Sequence, residues 1–120
     1  MQDFMKYDFN VNKILLAGFV RSGEGAPVHT NRASNGVALY VGGGCCFRFG
    51  DKKLYTKKND LIYLPKHSDY TVEQTEKADG ITCYAINFDI SATTDFSPFV
   101  ISIKNASALL RLFQNAEQVW

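Results

Sequence analysis

The sequence predicts an all-β sandwich or barrel that is followed by a single C-terminal helix. Short runs of β-branched and aromatic residues recur along the first 104 residues, with Gly, Asp, Asn and Pro between them. Such runs are typical of strands joined by turns. After Lys104 the apolar residues change to helical spacing. We therefore expect a barrel over residues 1–104 and a helical segment over 105–120. A chain of 120 residues with 46% hydrophobic composition suits one globular domain.

Eight segments carry the strand pattern. The predicted strands are 14–20, 37–41, 45–49, 54–56, 60–64, 70–74, 81–90 and 99–103. Residues 21–36 (RSGEGAPVHTNRASNG) show no periodicity and are predicted to form a long polar loop. Loops of this length in compact domains are often functional.

The predicted strand 81–90 has two different faces, because successive side chains of a strand point to opposite sides. Tyr84, Ile86 and Phe88 share one face, whereas the other carries smaller and polar residues. These are Cys83, Ala85, Asn87 and Asp89. We expect the aromatic face to pack beneath the C-terminal helix and the small, polar face to line the interior.

The C-terminal segment reads as an amphipathic helix that Asn105 or Ser107 can cap. Its apolar positions form one predicted stripe, made of Leu109, Leu112, Phe113, Ala116 and Trp120. No stop signal such as a C-terminal Gly accompanies Trp120, which is typical of a chain that continues.

Charge and hydropathy exclude several classes of protein. The net charge is +1, too small a basic excess for a domain that binds nucleic acid by itself. Lys52, Lys53, Lys57 and Lys58 cluster beside a turn, and we interpret them as a solvated hairpin edge. No run approaches the roughly 20 apolar residues that span a bilayer, and no secretory signal is visible. We expect a cytoplasmic protein.

The residues that carry chemistry are few. Three cysteines, two of them adjacent, lack zinc-site spacing and are expected to be buried, unreactive thiols. His29 and His67 are the only histidines, and neither a nucleophile elbow nor a phosphate-binding loop is present. His67, Asp69, Tyr70 and Glu73 could serve in acid–base catalysis, but such groups are common in turns. The sequence predicts no metal, cofactor or catalytic residue.

The segment 59–74 (NDLIYLPKHSDYTVEQ) predicts a strand, a turn marked by Pro65 and a returning strand. Its spacing resembles the second motif of the cupins, in which glycine, Pro-x-Gly, histidine and asparagine stand at fixed intervals. The matching residues here are Asn59, Pro65, His67, Tyr70 and Gln74. Tyr70 takes the place of the metal-binding histidine. The histidines and glutamate of the first cupin motif are also missing, since that region holds Asn31, Arg32, Ala33 and Val37. The pattern favours a sensor barrel over a metalloenzyme.

Nearly the whole chain resembles the N-terminal domain of AraC-type transcriptional regulators. The resemblance rests on LLAGFVRS, on Arg32 followed by VALYVGGG, on NDLIYLPKHSDY, on CYAINFDI and on the helix ALLRLFQNAEQVW. It implies a cupin-like double-stranded β-helix, or jelly-roll barrel, that binds a small polar effector such as a sugar. It also implies a homodimer formed through the helix, and DNA binding only through a helix-turn-helix domain that these residues do not include.

The resemblance also implies a site. In the arabinose-responsive member an arginine at the place of Arg32 contacts the sugar, and five further positions lie in or near that pocket. They match Val20, Tyr70, Val72, Cys83 and Ala85, and the interior face of strand 81–90 adds Asn87. The helix residues Leu109, Leu112, Phe113 and Trp120 are the expected dimer contacts.

Other interpretations stay open. By its chemistry alone, Arg32 suits a hydroxyl-rich or carboxylated ligand, or a salt bridge with a loop carboxylate. Asn87 could instead satisfy a buried backbone group. The chain could also be a stand-alone, metal-free cupin enzyme, such as an isomerase that uses Tyr70 or His67. A third interpretation is a dimerisation module with a filled barrel.

Overall fold

The structure is a computed structural model that describes residues 11–21, 23, 27–90 and 97–119. These residues form nine strands and one helix. The elements are β1 (Val11–Arg21), β2 (Val28–His29), β3 (Asn35–Tyr40), β4 (Gly44–Phe49), β5 (Lys52–Thr56), β6 (Asp60–Leu64), β7 (Tyr70–Glu76), β8 (Ile81–Ile90), β9 (Phe99–Ser102) and α1 (Ala106–Val119).

The strands form two antiparallel sheets. One has the order β1-β8-β3-β6-β9, and the other has the order β2-β7-β4-β5. Among the described strands the two sheets do not join into a closed barrel. The prediction of a mostly β chain with one C-terminal helix is confirmed.

All eight predicted strands are present, with ends that shift by a few residues. The strand that the sequence did not indicate is β2, inside the predicted loop 21–36. Its two residues pair with β7, Val28 opposite Thr71 and His29 opposite Tyr70. Two residues are too short to show a period, so the sequence carried no signal for this strand.

The hydrophobic core lies between the two sheets. The five-stranded sheet contributes side chains from β3, β6 and β8, and the four-stranded sheet contributes them from β4 and β7. The buried cluster consists of Ala38, Tyr40, Cys45, Phe47, Ile62, Leu64, Tyr70 and Cys83. Cys46 is also buried, so the expectation that all three thiols are buried is confirmed.

The helix α1 packs against β1 and β8, as expected. Phe113 is buried at 5% exposure, and Gln114 Nε2 donates to Tyr84 Oη at 3.4 Å. Leu112 is 63% exposed, so the prediction of one apolar stripe was wrong for this residue. Consecutive residues of a helix are about 100° apart, which turns Leu112 away when Phe113 faces the sheet. Leu109 is half-buried, and Trp120 lies outside the described residues. No helix in the described ranges is long and apolar enough to cross a membrane.

Two turns of the same kind flank β6. Asp60 N–H donates to Lys57 O at 3.0 Å, and Ser68 N–H donates to Pro65 O at 3.3 Å. The third residue of each turn has a left-handed backbone, with φ of 74° at Asn59 and 72° at His67. This is the pattern of type II turns, which prefer Gly or Asn at that position. Both residues stand where the cupin motif has glycine.

The left-handed backbone at residue 67 predicts that His67→Gly is more stable than His67→Ala, by about 1 kcal/mol. Both variants remove the imidazole, so their difference isolates the effect of a Cβ atom at positive φ. Urea unfolding of the two variants measures it. The matched control is Ala108→Gly on the exposed side of α1, where glycine is expected to lower the free energy of unfolding instead. Equal stability of the two His67 variants would contradict the assignment of the turn.

Candidate functional site

A cavity of about 410 Å³ lies between the two sheets. Its size falls within the range of about 300–1,000 Å³ that is typical of small-molecule sites. All seven residues that the sequence suggested for ligand binding lie in its wall: Val20, Arg32, Tyr70, Val72, Cys83, Ala85 and Asn87. Their part in binding stays a prediction.

Arg32 projects from the segment before β3 and reaches two side chains on different sheets. Its Nη1 donates to Tyr70 Oη at 3.1 Å, and its Nη2 donates to Asn87 Oδ1 at 2.5 Å. Its Nε is buried and has no hydrogen-bond partner. Among the described residues no carboxylate pairs with this guanidinium, so the salt bridge weighed as an alternative is not seen there. The arginine thus joins the two sheets through neutral groups.

Gly36 makes room for this arrangement. It lies in β3, opposite Asn87 of β8. A Cβ atom at residue 36 would overlap Arg32 Nη2 and come within 2.8 Å of Asn87 Oδ1. The guanidinium therefore passes over a backbone that carries no side chain, and any larger residue must displace it.

The backbone of Arg32 is held by the turn 65–68. Arg32 N–H donates to Ser68 O at 3.0 Å, and His67 N–H donates to Arg32 O at 2.8 Å. Asn31 adds two contacts: its N–H donates to Asp69 Oδ1 at 2.6 Å, and its Oδ1 lies 2.9 Å from His67 Nδ1. The turn 65–68 and Arg32 are far apart in the sequence, and these hydrogen bonds hold them together in the structure.

The side chain of Asn35 ties the same turn to β6. Its Oδ1 accepts from Tyr63 Oη at 2.8 Å and from Lys66 N–H at 3.1 Å. Asn35 is 7% exposed, and burial raises the pKa of Tyr63 to about 12, so its hydroxyl stays protonated as a donor. Arg32 opposes that shift without cancelling it.

Tyr70 stands in an aromatic environment at the cavity wall. The His29 ring stacks on it, with 4.7 Å between ring centroids, and Phe47 and Phe49 also contact it. Burial raises the pKa of Tyr70, while Arg32 opposes the rise by its charge and by its hydrogen bond. Tyr70 is therefore a neutral hydrogen-bonding group. His29 was not predicted to be near the site, because its position depends on β2.

A second polar group in the wall contains Tyr40, Cys45 and Cys83, which interact with one another. Burial raises the pKa of Cys83 to about 12, and the nearby Cys45 adds to the rise. Burial also raises the pKa values of Cys45 and Tyr40. These groups are neutral near pH 7, which agrees with the expectation of unreactive thiols.

The rest of the wall is largely apolar, and the sequence had suggested none of it. The remaining lining residues are Arg21, Gly23, Pro27, His29, Ala38, Tyr40, Cys45, Phe47, Leu64, Gln74 and Thr82. Alternation along β3 and β4 could have indicated Ala38, Tyr40, Cys45 and Phe47, since they share the inner face of their strands. None of the lining residues that the structure describes is acidic. The described residues also contain no cluster of three or more His, Cys, Asp or Glu side chains that could hold a metal ion.

Comparison with known proteins identifies no family. No protein-family model matches the chain. A search of curated proteins finds no significant match either. The cavity and the sequence resemblance are therefore the two observations that bear on the function of the chain.

Gly36→Ala is expected to displace the Arg32 side chain and to lower the free energy of unfolding. A double-mutant cycle with Arg32→Ala separates this effect from local strain. Once the guanidinium is absent, Gly36→Ala should cost less, with a coupling energy of about 1 kcal/mol. Urea unfolding of the four proteins measures the coupling. Additive effects would show that Gly36 does not hold space for Arg32.

The raised pKa of Cys83 predicts a loss of stability at alkaline pH. The folded chain keeps this proton up to about pH 12, whereas the unfolded chain releases it near pH 9. The stabilisation is complete below about pH 9 and falls as pH rises towards 12, by about 1.4 kcal/mol per pH unit for one such group.

Urea unfolding between about pH 9 and pH 11 should therefore show a shallower decline for Cys83→Ala than for the natural chain. Val72→Ala serves as the control, because it removes apolar volume from the same cavity wall without removing an ionisable group. Its decline should match that of the natural chain. Parallel declines for all three proteins would contradict the buried, protonated state of Cys83.

Proposed function

We propose that the chain is the effector-sensing and dimerisation domain of an AraC-type transcription regulator that acts in the cytoplasm. A small polar molecule binds in the cavity between the sheets. DNA is bound only through a helix-turn-helix domain outside these 120 residues. The observation that carries the proposal is the cavity of about 410 Å³ with Arg32 fixed in its wall, held by Tyr70 and Asn87.

The backbone supports the cupin-like, jelly-roll part of the proposal. The motif of that fold has glycine at two positions, and the matching Asn59 and His67 both have positive φ. Glycine is the usual residue for such a backbone. The positive φ values that the motif requires are therefore kept here, although the two residues are not glycine. Two facing antiparallel sheets with the core between them are also what a jelly roll requires.

The position of β8 supports a sensing mechanism. One face of this strand presents Cys83, Ala85 and Asn87 to the cavity, while Tyr84 on the other face contacts Gln114 of α1. A ligand that binds one of two arrangements of β8 and α1 more tightly shifts the population towards that arrangement. The size of the shift is set by the difference between its affinities for the two arrangements. The shift then reaches a dimer contact on α1, where Leu112 is 63% exposed.

The isomerase alternative gains no support from the geometry. His67 is exposed, contacts Asn31 and does not line the cavity. Tyr70 lines the cavity, but burial raises its pKa, which makes it a poor base at neutral pH.

A ligand screen with a cavity-filling variant tests the sensor. Sugars and small acids are added to the 120-residue chain, and thermal unfolding is followed. A compound that binds the folded chain stabilises it by RT ln(1 + [L]/Kd), about 2.7 kcal/mol at a hundredfold excess over Kd. Ala85→Leu is expected to abolish the shift by occupying cavity volume, and Ala108→Leu on the exposed side of α1 is expected to keep it.

The absence of any shift, or an equal shift in Ala85→Leu, would contradict binding in the cavity and favour a dimerisation module. The regulator has a separate test in the gene sequence after Trp120. Two helix-turn-helix patterns there would support it, and a stop codon would overturn it.

A further inference from the structure

We infer that the effector is a small monocarboxylate with an apolar body, and that Arg32, Tyr70 and Asn87 bind its carboxylate. This inference rests on the proposed sensing function and specifies the chemistry of its ligand. It follows from the hydrogen bonds that these side chains leave unmade, from the charge of the wall and from the apolar surface around it.

The three polar side chains leave more hydrogen-bond donors than acceptors for a ligand. Arg32 already donates to Tyr70 Oη and to Asn87 Oδ1. The hydrogens that remain include the Tyr70 O–H, the two hydrogens on Asn87 Nδ2, one hydrogen on each Nη of Arg32, and the Arg32 Nε–H, which is buried and unpartnered. An ionised carboxylate accepts hydrogen bonds and donates none, so it complements such a set. A sugar hydroxyl also brings a proton that needs an acceptor.

Thr82 adds an independent observation. This residue lines the cavity and is 4% exposed, yet its hydroxyl has no hydrogen-bond partner. Buried hydroxyl groups are almost always hydrogen-bonded in folded proteins. These are two buried polar atoms without partners, Thr82 Oγ1 and Arg32 Nε, both in residues that line the cavity, and a ligand would supply an acceptor for the Arg32 Nε–H.

The charge of the wall favours an anion. Among the described residues the wall contains two arginines, the exposed Arg21 and the half-buried Arg32, and no Asp or Glu. The buried thiols and tyrosines are neutral, so they do not compensate the guanidinium. Arg32 is half-buried, and its hydrogen bonds to Tyr70 and Asn87 go to neutral groups, so no counter-charge among the described residues lies on its guanidinium. A bound carboxylate would supply the missing counter-charge.

The remaining wall selects an apolar body and a single negative charge. Seven of its residues have hydrocarbon side chains: Val20, Pro27, Ala38, Phe47, Leu64, Val72 and Ala85. Hydrogen bonds to two wall residues fix the guanidinium of Arg32, and one guanidinium matches the charge of a monoanion better than that of a phosphate. A volume of about 410 Å³ leaves room for a body beyond the carboxylate.

Matched pairs of ligands test the charge directly. Benzoate and benzamide, and hexanoate and hexanamide, have nearly the same shape and differ in charge. Isothermal titration of the 120-residue chain should show at least one carboxylate that binds about tenfold or more tightly than its amide. Inorganic phosphate and neutral sugars are further arms, and both are expected to bind more weakly than that carboxylate.

Variants assign the preference to Arg32. Arg32→Gln should remove the advantage of the carboxylate over the amide. Gly36→Ala should also reduce the preference for the carboxylate, because the added Cβ atom displaces the guanidinium although its charge is still present. If Arg32→Gln does not fold, Gly36→Ala and Arg32→Lys, which keeps the charge but loses the fork, give the same information. Arg48→Gln is the matched control, since Arg48 is exposed, pairs with Glu73 and lies outside the cavity wall.

Three results would overturn the inference. Sugars, amides or phosphate that bind as tightly as the carboxylates would leave the sensor standing but exclude a carboxylate effector. A carboxylate preference that Arg32→Gln leaves unchanged would show that another group binds the carboxylate. No binding by any compound would overturn both the carboxylate and the sensing function.

Discussion

The pair of backbone hydrogen bonds between Arg32 and the turn 65–68 is the constraint on which the site depends. It joins the segment before β3 to the connection between β6 and β7, and so it links the two sheets beside the cavity. Because the bonds come from the backbone, the position of Arg32 is set by the shape of the turn, which His67 adopts at positive φ. The guanidinium then needs only Gly36, Tyr70 and Asn87 to fix its direction.

The strand β8 is the second element that organises the molecule. It lies between β1 and β3 and contacts α1, so a displacement of this strand cannot remain local. Alternation places its cavity residues and its helix contacts one residue apart, as with Ala85 and Tyr84. In the proposed sensor, β8 alone would therefore couple ligand binding in the cavity to a dimer contact on α1.

The sequence predicts the parts of this structure that depend on local pattern. Runs of β-branched and aromatic residues located eight strands, period-two alternation assigned the inner face of β8, and helical spacing located α1. It could not predict β2, whose two residues become a strand only because β7 offers an edge. It also left the partners of Arg32 open, since Tyr70 and Asn87 are 38 and 55 residues away. The sequence predicted that Leu112 belongs to the apolar stripe of α1, but this residue is exposed. The five apolar positions did not define which side of the helix faces the sheet.

The protonation of the cavity wall bears on the proposed sensing function. General acid–base chemistry needs groups that exchange protons near pH 7, whereas burial raises the pKa values of Tyr40, Tyr70, Cys45 and Cys83 and keeps them protonated. The cavity wall thus combines fixed donors with apolar surface, an arrangement that distinguishes ligands by charge and shape. Tyr70 stands at the position of the metal-binding histidine of the cupin motif, and this replacement fits the proposed role. The neutral phenol accepts a hydrogen bond from Arg32 Nη1, which a histidine bound to a metal could not accept.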